Sequence, residues 1–238
     1  MEVKKITIIV PVYNEERTVS KILDKIGKIN FKFRNRKIGK EILIINDGSS
    51  DGSEKIIKDY IKNNGKEFRY IKKKNEGKGS ALRLGFKSAT GDIITIQDAD
   101  LEYNPEDFKR LIIPIIEGKE SVVYGSRFLG EHNPRYRIYF WGNKFLTLLT
   151  KVLYGAKITD METCYKVFKS DVIKSINLTS NKFDIEPEIT SKILRKGINI
   201  MEMPISYSPR SIEEGKKIGW RDGLKAIYVL LKNRFLIH

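Results

Sequence analysis

The chain has 238 residues and a formal net charge of +15. With 40% hydrophobic and 32% charged residues it has the balance of a soluble globular chain and not of a disordered one, and it is long enough for one large domain with a substantial core. A positive field of this size favours anionic partners: nucleic acid, acidic membrane or a phosphorylated substrate. The lone cysteine, Cys164, cannot form an internal disulfide, and no apolar leader precedes the first strand. No run approaches the roughly 20 apolar residues of a membrane span. The expected location is therefore cytosolic.

Isoleucine- and valine-rich runs at 6–12 (ITIIVPV), 41–47 (EILIIND), 92–98 (DIITIQD) and 121–126 (SVVYGS) read as strands covered on both faces, hence a parallel sheet. Between them, Val19, Ile22, Leu23, Ile26 and Ile29 share one helix face, and Ile56, Ile57, Tyr60 and Ile61 share another. The stretch NPEDF announces a third helix, with Asn104 as cap, Pro105 in the first turn and acids at the positive end. Beyond residue 128 the pattern predicts a helix over about 138–154, a strand-like 198–207 and a last helix from Leu224. The basic segment 32–40 reads as a mobile loop.

This alternation predicts an α/β fold, in which ligands bind beyond the carboxyl ends of the strands. YNE (13–15), NDGSSD (46–51), DAD (98–100) and GSR (125–127) all fall there. Burying two unpaired carboxylates is costly, so Asp98 and Asp100 call for a cation. Alternate side chains of an extended segment point the same way, with roughly 7 Å between their α-carbons, so both can serve one diphosphate.

The ordered motifs VPVYNEE (10–16), NDGSSDGS (46–53), EGKGSALRLG (76–85), DADLE (98–102), GSR (125–127) and PISYSPRSIEEGKKIGWRDG (204–223) resemble the family 2 glycosyltransferases of GT-A fold. Within that family they are similar to the dolichyl-phosphate mannose and glucose synthases, over essentially the whole chain. The resemblance implies an inverting, metal-dependent hexosyltransferase acting from a nucleotide sugar (GDP-mannose or UDP-glucose type) on a polyprenyl or dolichyl phosphate. It implies a mostly parallel sheet flanked by helices and a single domain over 1–238. Residues 1–128 would form the nucleotide-sugar half and 129–238 the acceptor half.

By the same resemblance, Pro11, Tyr13, Glu15, Asp47, Lys78, Asp98, Ala99 and Asp100 line the donor site, and Arg210 and Lys216 close over the diphosphate. Asp100 and Glu102 would hold Mg²⁺ or Mn²⁺, with Asp98, Asp100 and Arg127 at the reaction centre. Arg127 and Arg137, or Arg135 in its place, would receive the acceptor phosphate. A phosphate acceptor is already anionic and needs no strong base, in keeping with only two histidines. A sugar-hydroxyl acceptor, the alternative, would need a carboxylate base such as Asp160, Glu162 or Glu186.

Helix 138–154 shows a narrow polar stripe (Asn143, Lys144, Thr147, Thr150, Lys151) against a wide apolar face, and the last helix is apolar with basic edges. Either both pack on the sheet or they rest on a membrane interface, which makes peripheral attachment at the cytoplasmic face the expectation. Lys72, Lys73 and Lys74 read as solvated surface. A non-catalytic nucleic-acid or membrane binder is disfavoured, because Asp47, Asp98 and Asp100 would repel phosphates.

Overall fold

The computed structural model describes residues 2–130, 137–209 and 219–236, with the backbone alone at 137–139 and 220. In chain order the elements are β1 (Lys5–Val12), α1 (Val19–Lys28), β2 (Phe31–Phe33), β3 (Arg36–Asn46), α2 (Ser53–Asn64), β4 (Phe68–Lys72), α3 (Lys78–Ser88) and β5 (Ile93–Ile96). A 3-10 turn (Pro105–Asp107) then leads into α4 (Phe108–Leu111), α5 (Ile113–Ile116), β6 (Val122–Ser126), α6 (Arg137–Tyr154), β7 (Lys166–Lys169), α7 (Ser170–Lys174), α8 (Ile185–Arg195), β8 (Met201–Pro204) and α9 (Trp220–Phe235).

The sheet runs β3-β1-β5-β7-β6-β8, with β4 and β2 both paired to β3. The β3–β1, β1–β5, β3–β4 and β6–β8 pairs are parallel, and β7 lies antiparallel between β5 and β6. The apolar runs behave as expected: Ile6–Val10, all of β5 and all of β6 are buried, because helices cover both faces. The predicted faces of α1 (Val19, Ile22, Leu23, Ile26) are buried as well. Asn104 caps its turn, its Oδ1 accepting from the Glu106 N–H at 3.2 Å.

One reading is corrected. Residues 32–40 are not a loop: Phe31–Phe33 pairs antiparallel with Arg36–Ile38 around Arg34 and Asn35. Both turn residues have positive φ (46° and 64°), as a tight two-residue hairpin requires, and the turn lacks the glycine that would have signalled it. The segment EGKGSALRLG is helical for most of its length. It starts α3, and the backbone its glycines admit is the chain's own: a Cβ on Gly79 would lie 2.6 Å from the Ser180 carbonyl oxygen.

Further along α3, a Cβ on Gly85 would lie 2.6 Å from Ile9 Cγ2 in the central strand. Gly85→Ala is thus expected to destabilise the fold by about 1–3 kcal/mol through overpacking, overriding alanine's better helix propensity. Chemical denaturation checks this: a lower midpoint with unchanged slope is the expected result.

Candidate active site

β1, β3, β5 and β6 end on one side, at Val12, Asn46, Ile96 and Ser126. The first two loops there are stitched together. The Asn14 N–H donates to Ser49 Oγ (3.0 Å), Asn14 Oδ1 accepts from the Ser50 N–H (2.8 Å), and the Glu15 N–H donates to Ser53 Oγ (2.9 Å). Asn14 sits at φ 54°, a conformation asparagine tolerates better than most residues. The Glu15 carboxylate accepts from Thr18 Oγ1 at 2.8 Å, while Tyr13 is exposed and Pro11 half-buried.

Asp47, buried just after β3, accepts from Lys73 Nζ (2.8 Å) and from the Glu76 and Gly77 N–H groups (3.2 and 2.8 Å). This corrects the reading of Lys73 as solvated surface. Its side chain is largely covered, and Asp47 and Glu76 overcome the effect of burial and raise its pKa.

At the end of β5, Lys78 Nζ donates to Asp98 Oδ2 at 2.9 Å and lies 3.2 Å from Glu186 Oε1. Burial works against the charge on Lys78, but Asp98, Cys164 and Glu186 outweigh it and hold its pKa well above the usual lysine range. The other Glu186 oxygen accepts from the fully buried Lys166 Nζ at 2.5 Å, and that ammonium also donates to the Met161 and Thr163 carbonyls. Ala99 is buried. Asp100 Oδ1 accepts from the Glu102 N–H (3.2 Å) across Leu101, which stands at φ 65°. Tyr207 donates its hydroxyl to Glu102 Oε2 at 3.0 Å.

Arg127 follows β6 and is gripped by Asp160: Nε donates to Oδ2 and Nη2 to Oδ1, both at 2.7 Å, and the Arg127 N–H adds a third bond at 3.0 Å. The guanidinium also lies over the Tyr207 ring, 5.2 Å from its centroid. Glu202 fixes the Asp160 loop in turn, accepting from the Thr159 and Asp160 N–H groups at 2.6 and 2.9 Å.

Asp98, Asp100, Glu102 and Arg127 are thus gathered at one end of the sheet. Arg135, Arg210 and Lys216 lie outside the described residues, as does the side chain of Arg137. Among the described residues no three His, Cys, Asp or Glu side chains group to hold a metal alone. Asp100 and Glu102 still suit Mg²⁺ or Mn²⁺, which bind through one or two carboxylates completed by phosphate oxygens and water. The sequence reading missed the partners Lys73, Lys166 and Tyr207. For Lys166 a signal existed: a lysine in the otherwise apolar core of CYKVF.

Of the three candidate bases, Asp160 is committed to Arg127 and Glu186 is held by Lys166 beside Lys78. Glu162 differs: burial pushes its pKa up to about 7, further than Lys166 and Arg127 pull it down. The folded state therefore keeps this proton between about pH 4.5 and 7, where the unfolded chain releases it, and stability contributed by the neutral acid is lost as pH rises through 7. Glu162→Gln should gain stability relative to wild type at pH 8 and gain none at pH 4, read as the difference in urea midpoints across that range.

The model of glycosyl transferase family 2 matches residues 7–176. The chain belongs to this family. It is 28% identical over 217 residues to the dolichyl-phosphate beta-glucosyltransferase ALG5A of Trichomonas vaginalis, a match covering 85% of this chain and 65% of that protein, so it spans less than two thirds of that relative's length. It is 26% identical over 239 residues to the uncharacterized protein MJ1222 of Methanocaldococcus jannaschii, covering 97% and 92% of the two chains. Glucosyl-3-phosphoglycerate synthase of Mycobacterium tuberculosis, solved with Mn²⁺, UDP and glucosyl-3-phosphoglycerate, superposes with a TM-score of 0.73 at 16% identity, covering 99% of this chain and 81% of that one. The fold is GT-A: a mixed α/β sheet flanked by helices.

Proposed function

We propose that the chain transfers a hexose, with inversion, from a nucleoside-diphosphate sugar to a polyprenyl phosphate of dolichyl type while resting on the cytoplasmic face of a membrane. One observation carries the lipid acceptor: α6 and α9 turn apolar stripes outward. Trp141, Phe145, Leu148 and Val152 recur at helical spacing on α6, and Leu224, Tyr228, Leu231 and Phe235 repeat the spacing on α9, all exposed, with Trp141 at 67% and Val152 at 74%. The two helices pack against one another, and eight exposed apolar side chains at helical spacing are more than isolated surface apolars explain.

The polar stripe of α6 supports this from the other side. Thr147 and Thr150 are buried, Thr147 Oγ1 accepting from the Met161 N–H, so the helix shows the outside a face that packing on the sheet would have covered. Exposed lysines, Lys151 and Lys225 among them, supply attraction to anionic lipid. Among the described residues no helix is long and apolar enough to cross a membrane.

In this reading the whole chain is one catalytic unit, residues 1–128 holding the donor and 129–238 the acceptor. Pro11, Tyr13, Glu15, Asp47 with Lys73, Lys78, Asp98, Ala99 and Asp100 line the donor site, and Arg210 and Lys216 cover the diphosphate. Asp100 and Glu102 would hold Mg²⁺ or Mn²⁺, which when bound offsets the charge gained by the departing diphosphate. Arg127 and Arg137 receive the acceptor phosphate, whose oxygen attacks the anomeric carbon. An anionic phosphate needs no base, and the engagement of two of the three candidate bases, Asp160 and Glu186, with cations supports that choice over a hydroxyl acceptor.

The test is transfer of label from UDP-glucose and GDP-mannose to a short polyprenyl phosphate, with Mg²⁺, Mn²⁺ or chelator. Metal-dependent label in the lipid fraction is expected; label found only on a glycan or in free sugar would overturn the acceptor. Trp141→Glu and Phe235→Glu should each weaken sedimentation with anionic vesicles several-fold without lowering the melting temperature. Unchanged sedimentation in both would remove the membrane from the reading.

A further inference from the structure

The loop between Asp160 and Lys166 carries one carboxylate oxygen that the described residues do not satisfy. Glu162 Oε1 is shielded from solvent and has no hydrogen-bond partner in the described structure. Its acidic neighbours have cations or N–H groups: Asp160 is held by Arg127, Glu202 by the Thr159 and Asp160 N–H groups, and Glu186 by Lys166, while Glu186 Oε1, the other covered oxygen without a hydrogen bond, has Lys78 Nζ at 3.2 Å. A covered oxygen without a partner is unfavourable and uncommon, so it calls for a group that the described residues do not supply.

Topology puts this loop at the cleft. β7 runs antiparallel to β6 with Lys166 opposite Tyr124, so the residues just before β7 lie at the sheet end where Asp98 and Arg127 stand. Along the loop, Glu162 sits between Asp160, which holds Arg127, and the buried Cys164. Among the charges acting on it, Lys166 and Arg127 are opposed by Glu186 and Asp160. Such a balanced surrounding suits a neutral hydroxyl better than a phosphate, whose charge would need an excess of cations.

We propose that Glu162 is a sugar-binding side chain, its Oε1 taking a hydroxyl of the hexose being transferred. The proposal rests on the nucleotide-sugar reading above and deepens it: Asp100 and Glu102 address the diphosphate, while Glu162 tells one sugar from another. A carboxyl with its pKa about 7 can accept from or donate to that hydroxyl near neutral pH.

The test is calorimetric binding of UDP, GDP, UDP-glucose, GDP-mannose and their single-deoxy analogues to the wild-type chain, Glu162→Gln and Glu162→Ala, with kcat/KM for each donor turned over. Diphosphate affinity should be equal in all three proteins. The intact sugar nucleotide should bind about tenfold to a hundredfold more weakly to the alanine variant, with glutamine between. One deoxy analogue should reproduce that loss in wild type and lose nothing further in the variant. Equal binding of every donor by wild type and alanine variant overturns the proposal, as does a loss shared by all analogues or by the bare diphosphates, which marks a structural role. Wild type that binds diphosphates but no sugar nucleotide overturns the donor reading itself, a failure seen before any variant is measured.

Discussion

Asp100→Asn is expected to fold like the parent and to lose at least about a hundredfold in kcat/KM, because it removes the charge and keeps the geometry. Asp100 Oδ1 accepts from the Glu102 N–H in a local turn that holds Leu101 at φ 65°, and an asparagine amide oxygen can make the same bond. Asp100→Ala removes both charge and turn, adding a stability loss of about 1 kcal/mol. Steady-state kinetics over a Mg²⁺ and Mn²⁺ titration separates the two effects. An asparagine variant with wild-type turnover would show that the position matters for the turn alone and would withdraw it as a metal ligand.

Asp160→Asn should be the most damaging single change near the cleft for stability. Asp160 is fully buried and makes three bonds to Arg127, whose guanidinium would be left in a covered site without its counter-charge. Breaking such a pair costs about 3–5 kcal/mol, and each kcal/mol lowers the melting temperature by roughly 2–4 °C in a chain of this size. Turnover should fall as well, because the arginine loses the partner that aims it. The double change Arg127→Met with Asp160→Leu discriminates: it should recover much of the stability and none of the activity. A double variant that regains turnover would show that the pair is a structural strut only.

Much of the architecture can be read without coordinates. Continuous runs such as ITIIVPV have no polar face to give to water, so they had to become strands covered on both sides, and the acidic and glycine-rich turns after them had to sit at one end of a parallel sheet. Local chemistry also set the Asn104 cap and the face of α1. Short elements escaped because their signal is weak: β2 is three residues long, its turn has no glycine, and β4 lies against a lysine run that reads as surface.

The sequence alone therefore determined which acidic and glycine-rich turns share one end of the sheet, since strand burial and turn composition are local properties that periodicity reports. Tertiary structure decided which charges meet. Lys73 reaches Asp47 from 26 residues away, Lys166 reaches Glu186 from 20, and Asp160 reaches Arg127 from 33. It also decided that α6 and α9 keep apolar stripes outside, because an amphipathic pattern specifies a helix with two faces and only the packing partners choose which one is covered.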